Sequence, residues 1–130
     1  MKKIFLGLLA LYITLLPTTT IASTCKVPPI KGKDYAEARK ILINNHWKPV
    51  KTIILDEDGD SPNLSGNGRI YWPKGFYEVE NCSGSGLAVC TFIFKDKNNN
   101  KLRVVTAGEE FPEENIQASV HSYKCNPKNK

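Results

Sequence analysis

Four cysteines, Cys25, Cys82, Cys90 and Cys125, constrain this chain more than any other feature, because they reach across almost all of it. An even number of cysteines in an exported chain reads as two disulfides, drawn from three connectivities. Export is legible at the start. Met1-Lys2-Lys3 is a short positive region, and residues 4–16 form an apolar run broken only by Gly7 and Thr14. Such a run suits a signal peptide and falls short of the ~20 residues that a spanning helix needs. Thr20-Ile21-Ala22 puts small residues where a signal peptidase wants them, so cleavage is expected after Ala22. Residues 1–22 are read as a signal peptide and 23–130 as one domain, periplasmic or secreted, with no membrane span. Lipidation at Cys25 is not expected. A lipobox wants a large aliphatic residue three places earlier and Gly, Ala or Ser directly before, and Ala22 and Thr24 stand there.

The cysteine spacing contains no C-x-x-C, and neither His46 nor His121 neighbours a cysteine, so no zinc site is expected. Cys82 and Cys90 flank a Gly/Ser-rich stretch able to bring its own ends together. Cys25 and Cys125 sit at the two ends of the mature chain, and domain termini often lie close. The favoured pairing is Cys25 with Cys125 and Cys82 with Cys90. The main rival joins Cys25 to Cys82 and Cys90 to Cys125.

Charge excludes one class of partner. Lys and Arg number 18 against 13 Asp and Glu, a net charge of +5. Without Lys2 and Lys3 the balance is 16 against 13, and the tail holds Lys124, Lys128 and Lys130. The remaining surface is close to neutral, whereas a nucleic-acid binder needs a concentrated basic footprint. No nucleic acid is expected.

The patterning predicts an α+β domain: one N-terminal helix followed by an antiparallel meander of four to five strands, stabilised by disulfides. Asp34 begins the helix, with Glu37 three residues on at a capping-box spacing. Tyr35, Ala38, Ile41 and Leu42 share one stripe. Asn44-Asn45 end it in a left-handed cap, Pro49 confirms the stop, and Trp47 folds back over the stripe. Strands are expected at 50–55, at 69–80 as two short pieces (69–72 and 76–80) split by the turn Pro73-Lys74-Gly75, and at 89–95, 102–107 and 116–124, the last with Ile116, Ala118 and Val120 inward. A polar loop covers 56–68, and 96–100 is a hairpin turn in which Asn tolerates positive φ.

Tyr35-x-x-Ala38-Arg39-x-x-Leu42 followed by Trp47-x-Pro49 resembles the helix of PASTA modules over residues 35–49, a likeness that implies cell-wall binding. The helix, the Cys82-Ser-Gly-x-Gly…Cys90-x-Phe-x-Phe-x-Asp run and the terminal Cys125 look like small exported bacterial proteins and imply no particular activity. The helix-then-sheet order is similar to the periplasmic fold of outer-membrane assembly lipoproteins and β-lactamase inhibitor proteins, a likeness of architecture alone.

Catalytic patterns are weak throughout. Ser83-Gly84-Ser85-Gly86 lacks the glycine two before the serine that a nucleophile elbow requires, and a strand follows it. His46 and His121 have no sequence partner, and Glu109-Glu110 and Glu113-Glu114 read as solvated loop carboxylates. Asp56, Asp58 and Asp60 alternate like calcium ligands, but Gly59 stands at the fourth loop position instead of the sixth and Asn67 at the twelfth, where a bidentate Glu belongs. No catalytic residue, metal or cofactor is expected. Two segments suit contact with a partner: the acidic Asp56, Asp58 and Asp60, and the aromatic stretch Tyr71, Trp72, Phe76 and Tyr77 with Arg69, residue types that dominate binding hot spots. The leading expectation is a non-enzymatic module that binds another protein, of inhibitor or immunity type. Glycan or peptidoglycan binding comes second, and a small secreted hydrolase third.

Overall fold

The structure, a computed structural model, describes residues 13–18, 24–52, 57–58 and 65–128. Ile13, Leu15 and Leu16 of the leading apolar run are exposed and add nothing to the core.

Helix α1 (Tyr35–Asn44) turns its predicted stripe inward: Tyr35, Ala38 and Leu42 are buried and Ile41 is half-buried. Its start does not use a capping box. Asp34 holds the N-cap position without a side-chain hydrogen bond. The helix is placed by the Tyr35 amide, which donates to Ala118 O at 3.1 Å. Its end also differs, since Asn45 keeps a negative φ (−99°) and the left-handed residue is His46 (φ 67°). The Trp47 amide donates to Leu42 O at 3.0 Å and its indole Nε1 to Lys26 O at 3.1 Å, closing the ring over the stripe.

Five strands form one antiparallel sheet: β1 (Lys48–Pro49), β2 (Val79–Cys82), β3 (Cys90–Lys95), β4 (Lys101–Ala107) and β5 (Ser119–Asn126). Strands β3, β4 and β5 run as a meander, while β1 and β2 share the other edge of β3. Phe92, Phe94, Leu102, Val104 and Val120 face α1 in a single apolar core. Leu102, Val104 and Thr106, which alternate along β4 and so share one face, are all fully buried.

Four elements differ from expectation. The strand expected at 50–55 is not formed at 50–52, and the pairing lies earlier, at Lys48–Pro49, because β2 takes over the edge of β3: Glu78 O accepts the Ile93 amide at 3.0 Å, and the Thr52 amide donates to Tyr77 O. Residues 53–55 lie outside the described ones. The strand expected at 69–72 is helix α2 (Gly68–Tyr71) running into a 3-10 turn at Trp72–Lys74. Pro73 suits that first turn and Gly75, at φ 79°, closes it. β2 starts at Val79, and β5 starts at Ser119. Ile116 is therefore outside the sheet and 44% exposed, bridged only to Phe111.

Cys25 is joined to Cys125 and Cys82 to Cys90, the nested pairing. The second bridge links direct cross-strand partners of β2 and β3. The first helps hold the N-terminal lead-in along β5, where Gly32 N donates to Val120 O and Val120 N to Lys33 O, both at 2.8 Å. That lead-in covers an edge which would otherwise invite pairing with another chain.

Candidate binding face

The structure disperses the aromatic stretch. Tyr71 is core, 1% exposed, with its ring 5.5 Å from Tyr35 and 5.2 Å from Phe92. Phe76 and Trp72 are half-buried, Arg69 is exposed, and Tyr77 is exposed against Trp72 at 4.4 Å with Lys51 Nζ over its ring. The segment therefore offers at most the Trp72–Tyr77 pair to a partner. Of the acidic residues, Asp58 is exposed, and Asp56 and Asp60 lie outside the described residues.

Two glutamates are buried. Glu78, 1% exposed, accepts from Tyr35 Oη and Arg39 Nε, each at 2.6 Å. Glu110 was expected to be a solvated loop residue and is 5% exposed. Its Oε1 accepts from Tyr71 Oη at 2.7 Å and from the Ala118 amide at 3.1 Å. Its own amide donates to Asn67 Oδ1 at 3.0 Å, while Asn67 Nδ2 donates to Gly108 O at 2.8 Å. Such carboxylates, enclosed and each bound to a phenol, tie the core together and offer no cleft to a substrate. Ser83 Oγ donates to Ser85 O within an exposed turn. Among the described residues no group of His, Cys, Asp or Glu is placed to hold a metal ion.

Both phenols resist ionisation. Burial raises Tyr35 well above the usual tyrosine value, helped by the Glu78 charge beside it, and burial with the Glu110 hydrogen bond raises Tyr71 likewise. The folded protein thus keeps protons that the unfolded chain releases above pH ~10. Stability is expected to hold below that pH and to fall above it by about 1.4 kcal/mol per pH unit for each tyrosine. Urea unfolding between pH 9 and 11.5 checks this, and Tyr71→Phe should roughly halve the slope.

Among the described residues a row of cations lies on the sheet face opposite α1. Residues directly opposite in register share a face. Lys48 pairs with Lys95 and Lys95 with Lys101, so three lysines stand in one row across β1, β3 and β4. In the next row Arg103 pairs with Lys124. Arg103 Nη2 reaches the Glu80 carboxylate at 3.3 Å. Among the described residues Lys48, Lys95, Lys101 and Lys124 have no ion-pair partner. The carboxylate nearest in sequence, Asp96, is spent on its own turn, accepting from the Asn98 and Asn100 amides at 2.9 Å. The exposed acids Glu109, Glu113 and Glu114 follow the far end of β4. The net charge of +5 is therefore unevenly placed among the described residues, with lysines gathered at the start of β4 and exposed acids beyond its far end.

Sequence reasoning missed this face, although a signal existed. Leu102, Val104 and Thr106 alternate along the strand, so the intervening Lys101 and Arg103 fall on the other face, and the hairpin register brings Lys95 opposite Lys101. The contribution of Lys48 needed the tertiary pairing of β1 with β3.

No family model matches the chain, and no curated protein or solved structure matches it either.

Proposed function

We propose that this chain is an exported, non-enzymatic binding module of the bacterial envelope, periplasmic or secreted, that docks an acidic protein surface on its outer sheet face. The single observation that carries this reading is the row Lys48, Lys95, Lys101 with Lys124 beside it. Like charges directly opposite one another destabilise a sheet, so the row costs the free protein stability and is relieved when carboxylates cover it. An inhibitor or immunity role fits, because such proteins occlude a toxin or hydrolase through charge-steered association. The two disulfides support an oxidising compartment.

Affinity capture from an envelope extract of the source bacterium tests the reading, comparing the wild type with the charge-reversed triple variant Lys95→Glu, Lys101→Glu, Lys124→Glu. The variant is expected to keep its melting temperature or gain slightly. Association with a captured stoichiometric partner should slow by at least tenfold, with a flatter salt dependence. Glycan binding is the second reading, favoured by the half-exposed Trp72–Tyr77 pair and Lys51. It predicts co-sedimentation with sacculi that Tyr77→Ala abolishes and charge reversal on the sheet leaves intact.

A further inference from the structure

The basic row does not end at the sheet. Where the end of α1 meets β1 and the β3–β4 hairpin, an open groove of about 590 Å³ is lined by Ile43, Trp47 and Pro49, with His46, Lys48 and Lys97 at its rim. Lys48 belongs to both the groove and the row. Ile43 is 40% exposed although it follows the buried Leu42. The last carbonyls of the helix are engaged, Ile41 O, Leu42 O and Ile43 O accepting from the amides of Asn45, Trp47 and His46. This leaves an apolar pocket for one bulky side chain, opening onto a line of cations.

We infer that the groove takes a bulky apolar residue of an extended partner segment whose following carboxylates lie along Lys48, Lys95 and Lys101. The inference rests on the reading of the outer face as a protein-docking surface. Charge complementarity selects acidic residues, and geometry sets their spacing. Adjacent strands lie about 4.8 Å apart, so the three-lysine row spans about 10 Å, while alternate residues of an extended segment advance about 6.8 Å. An apolar residue followed by acids two and four places later matches both the groove and the row. The pattern is apolar–x–acidic–x–acidic.

Titration of the mature, disulfide-intact protein with the peptides Ac-Leu-Ser-Glu-Ser-Glu-NH2 and Ac-Gly-Ser-Glu-Ser-Glu-NH2, followed by NMR of the Ile43 methyls and the Trp47 indole, tests it. The leucine peptide is expected to bind at least tenfold more tightly than the glycine peptide, the gain from burying one aliphatic side chain. Ile43→Asn, which removes the apolar wall without adding charge, should abolish that gap while leaving the weak binding of the glycine peptide. Lys48→Glu with Lys97→Glu should weaken both. Equal affinity for the two peptides would overturn the inference. So would larger shifts of the same resonances with phosphatidylglycerol vesicles, which would make the site a lipid contact, or concentration-dependent shifts without peptide, which would make it a contact between copies. If the peptides fail while charge reversal on the sheet still loses the captured partner, the groove assignment alone falls. If both fail, the docking reading falls with it.

Discussion

Replacing Cys25 and Cys125 by serine is expected to cost roughly 4.7 kcal/mol, against about 2.5 kcal/mol for the same change at Cys82 and Cys90. The difference is one of loop-closure entropy: the first bridge closes a separation of 100 residues and the second only 8. A small domain has about 5–15 kcal/mol of stability in total, so the first loss brings it close to unfolding. Its structural setting deepens the injury. The lead-in that Cys25 anchors runs along β5, and freeing it uncovers that strand's outer edge. Urea unfolding of the two double variants, with light scattering during refolding, checks both points. The terminal variant should unfold at lower denaturant and aggregate. A Cys82/Cys90 variant that proves the less stable would contradict the entropic ranking.

Glu78→Ala is expected to cost about 3 kcal/mol, at the low end for breaking a buried ion pair. The change strips the Tyr35 phenol and the Arg39 guanidinium of their shared acceptor. Arg39 keeps 21% of its side chain exposed and its stacking over Phe76, so it finds some water, which is why the higher end is not expected. Glu78→Gln keeps the shape and an acceptor for Tyr35 and should cost less. The triple change Glu78→Leu, Arg39→Met, Tyr35→Phe removes every partner together and should recover most of the loss, because the penalty lies in unsatisfied groups rather than in the bridge itself. If the triple variant is as unstable as Glu78→Ala, cavity or packing terms dominate instead.

The sequence alone determined the features whose cause is local. The 3.6-residue spacing of Tyr35, Ala38 and Leu42 defines α1 because one helix face must meet the core. Alternation through Leu102, Val104 and Thr106 defines β4, and Asn99 at φ 60° turns the hairpin as an Asn readily can. The short Gly/Ser loop makes Cys82 and Cys90 natural partners. Tertiary structure decided the rest, through contacts that no local pattern encodes. Ile70, Tyr71 and Trp72 are apolar enough for a strand, yet they coil. Asn67, directly before α2, is pinned to Gly108 O, 41 residues away, and to the Glu110 amide, 43 away. That same network buries Glu110, which has the composition of a solvated loop residue. The basic face follows the same logic. The net charge of +5 says nothing of where charges gather, but register sets Lys48 beside Lys95 and Lys101, and the exposed acids Glu109, Glu113 and Glu114 follow the other end of β4. Electrostatic potential depends on distance in space, and only strand pairing supplies that distance.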